Sequence, residues 1–273
     1  MKRAGTMLAL SLAIATVVVA CASVSGGGRD HVARAVQAQG GTDAMAKVKT
    51  LSQKATERQW APEQSAVAGG EMRFANQATM ESVTDVTMRA SRTDWVREFQ
   101  YPAPRTFTFS EVVTAQAGYV AGIDSSGRTK QSQESNPPAH TMSGLRLAAS
   151  QRELVRSSPL LAFEMAQHPE RVSDAPDVTV RGVTYKAAAY RVDAQTLVVM
   201  FDPSTGLPAR IRSLDYDNIW GDVTYDLVLS DWEVVEGVRV ATTGTYEQNG
   251  RAVMETKIRE TRVNAPVAAD RLQ

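Results

Sequence analysis

The chain has 273 residues, 43% of them hydrophobic and 22% charged, enough apolar material for a sizeable core and unlike a disordered or fibrous chain. Its 30 basic groups balance 30 acidic ones, which weighs against a nucleic-acid binder. A single cysteine excludes internal disulfides and any thiolate-rich metal site.

The first twenty residues open with Lys2 and Arg3 and continue as an uncharged apolar run from Met7 to Ala20. The run is short for a bilayer span and reads as a secretory signal over residues 1–20. Its end, Val18-Val19-Ala20-Cys21, resembles the lipobox of bacterial lipoproteins, which implies cleavage before Cys21 and acylation of that cysteine. Acyl chains contribute about 0.8 kcal/mol per buried methylene, so an acylated Cys21 would hold the protein on a membrane without a spanning helix. Ala22 stands where an aspartate would imply inner-membrane retention. The expected address is therefore the outer membrane, periplasmic face. Residues 21–29 form a short flexible tether, and residues 30–273 are expected to be one domain.

From Asp30 the pattern predicts a helix with Val32, Ala35 and Val36 on one side, ending at Gly40-Gly41. Thr42 then caps a second helix bearing Met45, Val48 and Leu51. After a loop around residues 62–70, period-two patterning predicts successive strands to about Ile123. Trp95, Phe99 and Tyr101 share a face with Arg97, and Phe107, Phe109 and Val113 repeat the pattern in the next strand. Asp124 to Gly127 reads as a turn and the polar stretch to Pro138 as a loop. The only helical interruption follows, with Met142, Leu145, Ala149 and Leu154 at helical spacing. Ser158 then caps a further helix carrying Leu160, Leu161, Phe163 and Met165 to His168. From Val178 to Val263 the pattern returns to strands, with turns at 202–206, 218–221, 236–237 and 249–250 that imply an antiparallel meander.

The run Phe201-Asp202-Pro203-Ser204-Thr205-Gly206-Leu207-Pro208-Ala209-Arg210, with Gly221 to Asp226 and Ser230-Asp231-Trp232, resembles the β-rich domain found upstream of some metallo-β-lactamase-fold hydrolases. That domain is similar to the half-barrel of the lipoprotein-carrier (LolA/LolB-like) superfamily. The resemblance implies an α+β fold: a large curved antiparallel sheet with covering helices and an N-terminal helical segment. His31, His140 and His168 stand in unrelated settings and assemble no zinc-hydrolase motif, so the accessory domain is expected here without the hydrolase.

No GxSxG elbow, Walker loop or HExxH pair occurs, and no catalytic residue, metal or cofactor is expected. Asp215, Asp217, Asp222 and Asp226 lack calcium-loop spacing and read as a solvated strand face. In a half-barrel, Trp95, Phe99, Phe107, Phe109 and Tyr119 would line one concave surface, with Leu160 and Phe163 in helices above it. The same residues would equally make a packed core, and pattern does not separate the two. Arg97 on the aromatic face must meet a carboxylate, escape at a rim or greet a ligand head group, because a buried arginine is costly unpaired. Two functions follow as expectations. One is non-catalytic binding of a lipid or other hydrophobic ligand in the cavity. The other is an envelope interaction scaffold, or an accessory subunit for a separate hydrolase, with a cavity filled by its own side chains.

Overall fold

The computed structural model describes residues 27–268, 271 and 272, apart from residues 68, 102 and 218. The predicted signal sequence, Cys21 and most of the tether lie outside these residues. None of the helices among the described residues is long and apolar enough to cross a membrane.

Helix α1 (Gly28–Ala38) buries Val32, Ala35 and Val36, and Asp30 in its first turn accepts from the Gly27 amide at 3.1 Å. The chain leaves it through Gly40, whose φ is +122° and where a Cβ would stand 2.1 Å from the Gly237 carbonyl oxygen, so only glycine fits. Helix α2 (Thr42–Ala46) is a single turn that buries Met45. Strands β1 (Thr50–Ala61), β2 (Arg73–Asp85), β3 (Ala90–Phe99), β4 (Arg105–Val113) and β5 (Gly118–Gly122) follow. Then come α3 (Lys130–Ser135), β6 (Ala139–Thr141), α4 (Gly144–Arg156) and α5 (Leu161–Gln167). The meander β7 (Val172–Val180), β8 (Val183–Val192), β9 (Gln195–Phe201), β10 (Pro208–Asp217), β11 (Gly221–Val235), β12 (Val238–Gln248) and β13 (Arg251–Val263) follows.

The 13 strands among the described residues form one antiparallel sheet in the order β6-β5-β4-β3-β2-β1-β13-β12-β11-β10-β9-β8-β7. The first and last strands meet in its middle, with Leu51 opposite Val263. The edge strands β6 and β7 do not pair with each other, so the sheet curves as an open half-barrel and the fold is α+β. Helices α4 and α5 connect those two edges and cover the concave face, because a sheet with one apolar face must bury it against another layer. Two apolar cores result. One joins α1, α2 and α5 to β8–β12 around Tyr190, Met165 and Val199; the other joins α4 to β4 and β5 around Phe107, Phe109 and Val120.

Several local expectations are corrected. Leu51 belongs to β1, not to the second helix, and β1 itself escaped the period-two reading. Its inward row Leu51, Gln53, Ala55, Glu57 and Gln59 is mostly polar, so alternation of hydrophobicity does not mark it. The stretch expected as loop before Pro138 contains α3, capped by Thr129, whose hydroxyl accepts from the Ser132 amide. Further strand turns fall at Arg181-Gly182 and Asp193, where a residue adopts positive φ without a pair of turn formers.

Candidate ligand cavity

Whether inward side chains fill the half-barrel or line a space depends on how closely the helices approach. Over β4 and β5, α4 lies near the sheet. Phe107 and Phe109 are buried in one cluster with Val113, Val120 and Met142, against which Leu147 and Leu154 of α4 pack. Both phenylalanines, expected as cavity candidates, are therefore core. Leu160 is likewise buried in the core around α1, and Phe163 packs at its margin. Tyr119 takes the opposite face and is 40% exposed, because Val120 occupies the inward position of β5.

Toward β1 and β13 the helical cover stands away from the sheet and leaves a partly open cavity of about 1180 Å³. This exceeds the roughly 300–1,000 Å³ of ordinary small-molecule pockets. Its wall includes Trp95, Arg97 and Phe99 of the expected set, together with Ala55, Met80, Leu227, Leu229 and Ile258. The last half of α4 and the segment leading into α5 form the opposite wall.

The cavity is more polar than the sequence pattern implies. Arg97 donates from Nη2 to Glu57 Oε1 at 3.2 Å, and its guanidinium lies 4.5 Å from the Trp95 ring centre. Trp95 stacks on Phe109 and donates its indole N–H to Glu111 at 3.0 Å. Phe99 meets Phe107 edge to face at 5.5 Å. Burial pushes the Glu57 carboxyl up, and the neighbouring Arg97 draws it partly back. Gln39 Oε1, Asn76 Oδ1 and Arg97 Nε are buried without a hydrogen-bond partner among the described residues.

Polar contacts fasten the cover to the sheet. Arg146 in the first turn of α4 donates to Asp124 at 2.7 Å and to Glu111 at 2.5 Å. At the far end of α4, Arg156 bonds Glu153 and donates to Ser213 at 2.8 Å, while the Tyr246 hydroxyl donates to Glu153. Burial, and then the Glu153 carboxylate, push the Tyr246 hydroxyl well above its ordinary value, so it remains a donor. Glu164 of α5 accepts from Arg89 at 2.8 Å and from Tyr190 at 3.0 Å.

The first of these contacts titrates. Burial acts to raise the Asp124 carboxyl, but hydrogen bonds from Ser126 and Arg146 outweigh it and hold the group below the ordinary aspartate value. A depressed carboxylate contributes stability that is present above its unfolded value and lost as pH falls through the folded one. Asp124→Asn is therefore expected to lower Tm at pH 7 and to flatten the acid limb of Tm against pH below about pH 4. Parallel acid limbs in the two proteins would contradict this role for Asp124.

Sequence reasoning missed Glu57, Asn76, Met80, Glu153, Arg156 and Tyr246. The first two sit on polar inward rows, and the α4 pair looks like any exposed i,i+3 ion pair until the sheet is folded under it. The aspartates expected on a solvated face also divide. Asp217 caps the β10–β11 turn, whereas Asp226 is buried and ion-paired with Arg210 and Arg212. Among the described residues no cluster of histidine, cysteine or carboxylate side chains would hold a metal ion.

No family model and no curated protein matches the chain. Among solved structures it is similar to a LolA superfamily protein from Nitrosomonas europaea, with a TM-score of 0.47 and 8% identity over 89% of this chain and 96% of that one.

Proposed function

We propose that the protein is a non-catalytic binding protein that holds a lipid or other hydrophobic ligand between the half-barrel and α4–α5. The observation that carries this reading is the cavity of about 1180 Å³ that the protein's own side chains leave open, walled by Met80, Trp95, Phe99, Leu229 and Ile258. Burial of an acyl chain against these groups would supply affinity at roughly 25 cal/mol per Å² of apolar surface. Acylation of Cys21 belongs to the same proposal. It rests on the lipobox-like Val18 to Cys21 and would present the cavity at the periplasmic face of the outer membrane.

The competing reading is the interaction scaffold or hydrolase accessory subunit. The open volume weighs against a filled cavity, but Leu214, Tyr216, Ile219 and Trp220 are all exposed around the β10–β11 hairpin and offer a partner surface. A palmitate analogue with a photoactivatable group at its chain end separates the two. Irradiated with the full-length chain, it is expected to label peptides of β1–β3 and α4. Label confined to Leu214, Tyr216 and Trp220, which do not line the cavity, would overturn cavity binding.

A further inference from the structure

The floor of the cavity contains an ion pair that the surrounding protein leaves half-satisfied. Glu57 on β1 and Arg97 on β3 stand opposite the same β2 residue, Ala78, so the two side chains meet above a small, buried alanine. They share one hydrogen bond at 3.2 Å instead of a bidentate pair. Of the five N–H donors of the Arg97 guanidinium, only one has a protein acceptor among the described residues, and Nε is buried without any. Glu57, with 6% of its side chain exposed, accepts from no other donor there. Asn76, one inward position further along β2, turns its amide nitrogen to Gln59 and leaves Oδ1 unpartnered. Met80 and Trp95 border this polar spot on one side and Phe99 on the other.

Buried polar groups are stable when their valences are met, and an unmet donor beside an unmet acceptor calls for a group that offers both. An ionised carboxylate brought to the free N–H groups of Arg97 would be repelled by Glu57 and would leave the buried site with a net negative charge. An ammonium group would meet the same difficulty with Arg97. We infer that the Glu57–Arg97 pair, with Asn76 beside it, recognises the neutral, hydroxyl- or amide-bearing head of an amphiphile whose chain lies along Met80 and Trp95. This rests on the cavity-binding reading above and names the class of ligand that the cavity takes.

The test is native mass spectrometry of the full-length chain released from detergent micelles after incubation with equimolar 1-monopalmitoylglycerol, palmitate and hexadecylamine. All three carry the same 16-carbon chain and differ in the head. The glycerol ester complex is expected to exceed each of the other two at least ten-fold. The double variant Glu57→Leu/Arg97→Met replaces the pair by apolar groups, a change that commonly leaves stability intact. In it the preference is expected to fall below about three-fold while all three ligands are still retained. Equal retention of the three by the unmodified chain, or a preference that survives the double substitution, would overturn the inference and leave cavity binding standing. Retention of none would overturn both.

Discussion

Met80→Glu is expected to abolish ligand retention in a protein that still folds. Met80 is only partly buried, lies opposite Ala55 and Trp95, and forms part of the cavity wall and not of either packed core. In the unloaded protein a carboxylate there faces open space and keeps water. Loading a ligand chain would strip that water from an unpaired charge, at several kcal/mol, or on the order of a hundred-fold or more in affinity at 1.4 kcal/mol per factor of ten. Met80→Leu conserves shape and polarity and should retain ligand normally. Circular dichroism and Tm establish folding, and reporter displacement by palmitate establishes binding. Undiminished binding by a folded Met80→Glu variant would remove the cavity from the explanation. The same charge at Phe107 is expected to unfold the protein, because that ring is buried in a packed core.

The largest stability effect is expected on the other face of the sheet. Arg210, Asp226 and Glu247 are all buried, with Arg210 donating to both carboxylates. Arg212 pairs with Asp226 at 2.7 Å, and Arg181 reaches from the β7–β8 turn to Glu247 at 3.0 Å and to the Gly250 carbonyl at 2.9 Å. Although burial opposes it, the arginines hold the Asp226 carboxyl below the ordinary aspartate value. Arg210→Ala takes from the buried Asp226 and Glu247 carboxylates the one buried cation they share and leaves them only the more exposed Arg212 and Arg181, and losing one partner of such a pair destabilises by about 3–5 kcal/mol. Denaturant midpoints at unchanged m-value would measure this. Arg181→Ala serves as the contrast. Its side chain is 64% exposed, and the loss should stay within about 1 kcal/mol. Equal effects of the two substitutions would show that burial does not set the energetics of the cluster.

What the sequence discloses about this molecule follows from how far each signal reaches. Alternation in β3 placed Trp95, Arg97 and Phe99 on one inward face, with Val96 between them outward and exposed. The helix α1 and its Gly40-Gly41 exit were legible for the same local reason, as were the turns near residues 204, 219, 236 and 249. Alternation says which way a side chain points, and nothing about what lies above it. Phe107 and Phe99 are indistinguishable by that measure, yet the first is buried in a packed core, and the second borders open space. Glu57 and Asn76 were invisible because polar residues on an inward row read as outward ones. Asp226 does face outward as its spacing implies. Its burial comes with partners brought from elsewhere in the chain, which no local pattern encodes.

The most direct measurement is a comparison of native and denaturing mass spectra of the full-length chain isolated without added lipid. Acyl groups on Cys21, if the proposed acylation holds, would be covalent and survive denaturation, whereas a molecule held in the cavity would not. The expected result is a native mass greater than the denatured one by a single lipid-sized ligand, present in stoichiometric amount and lost from Met80→Glu. Identical masses in the two spectra, with no uptake of added palmitate or 1-monopalmitoylglycerol, would contradict ligand binding in the cavity.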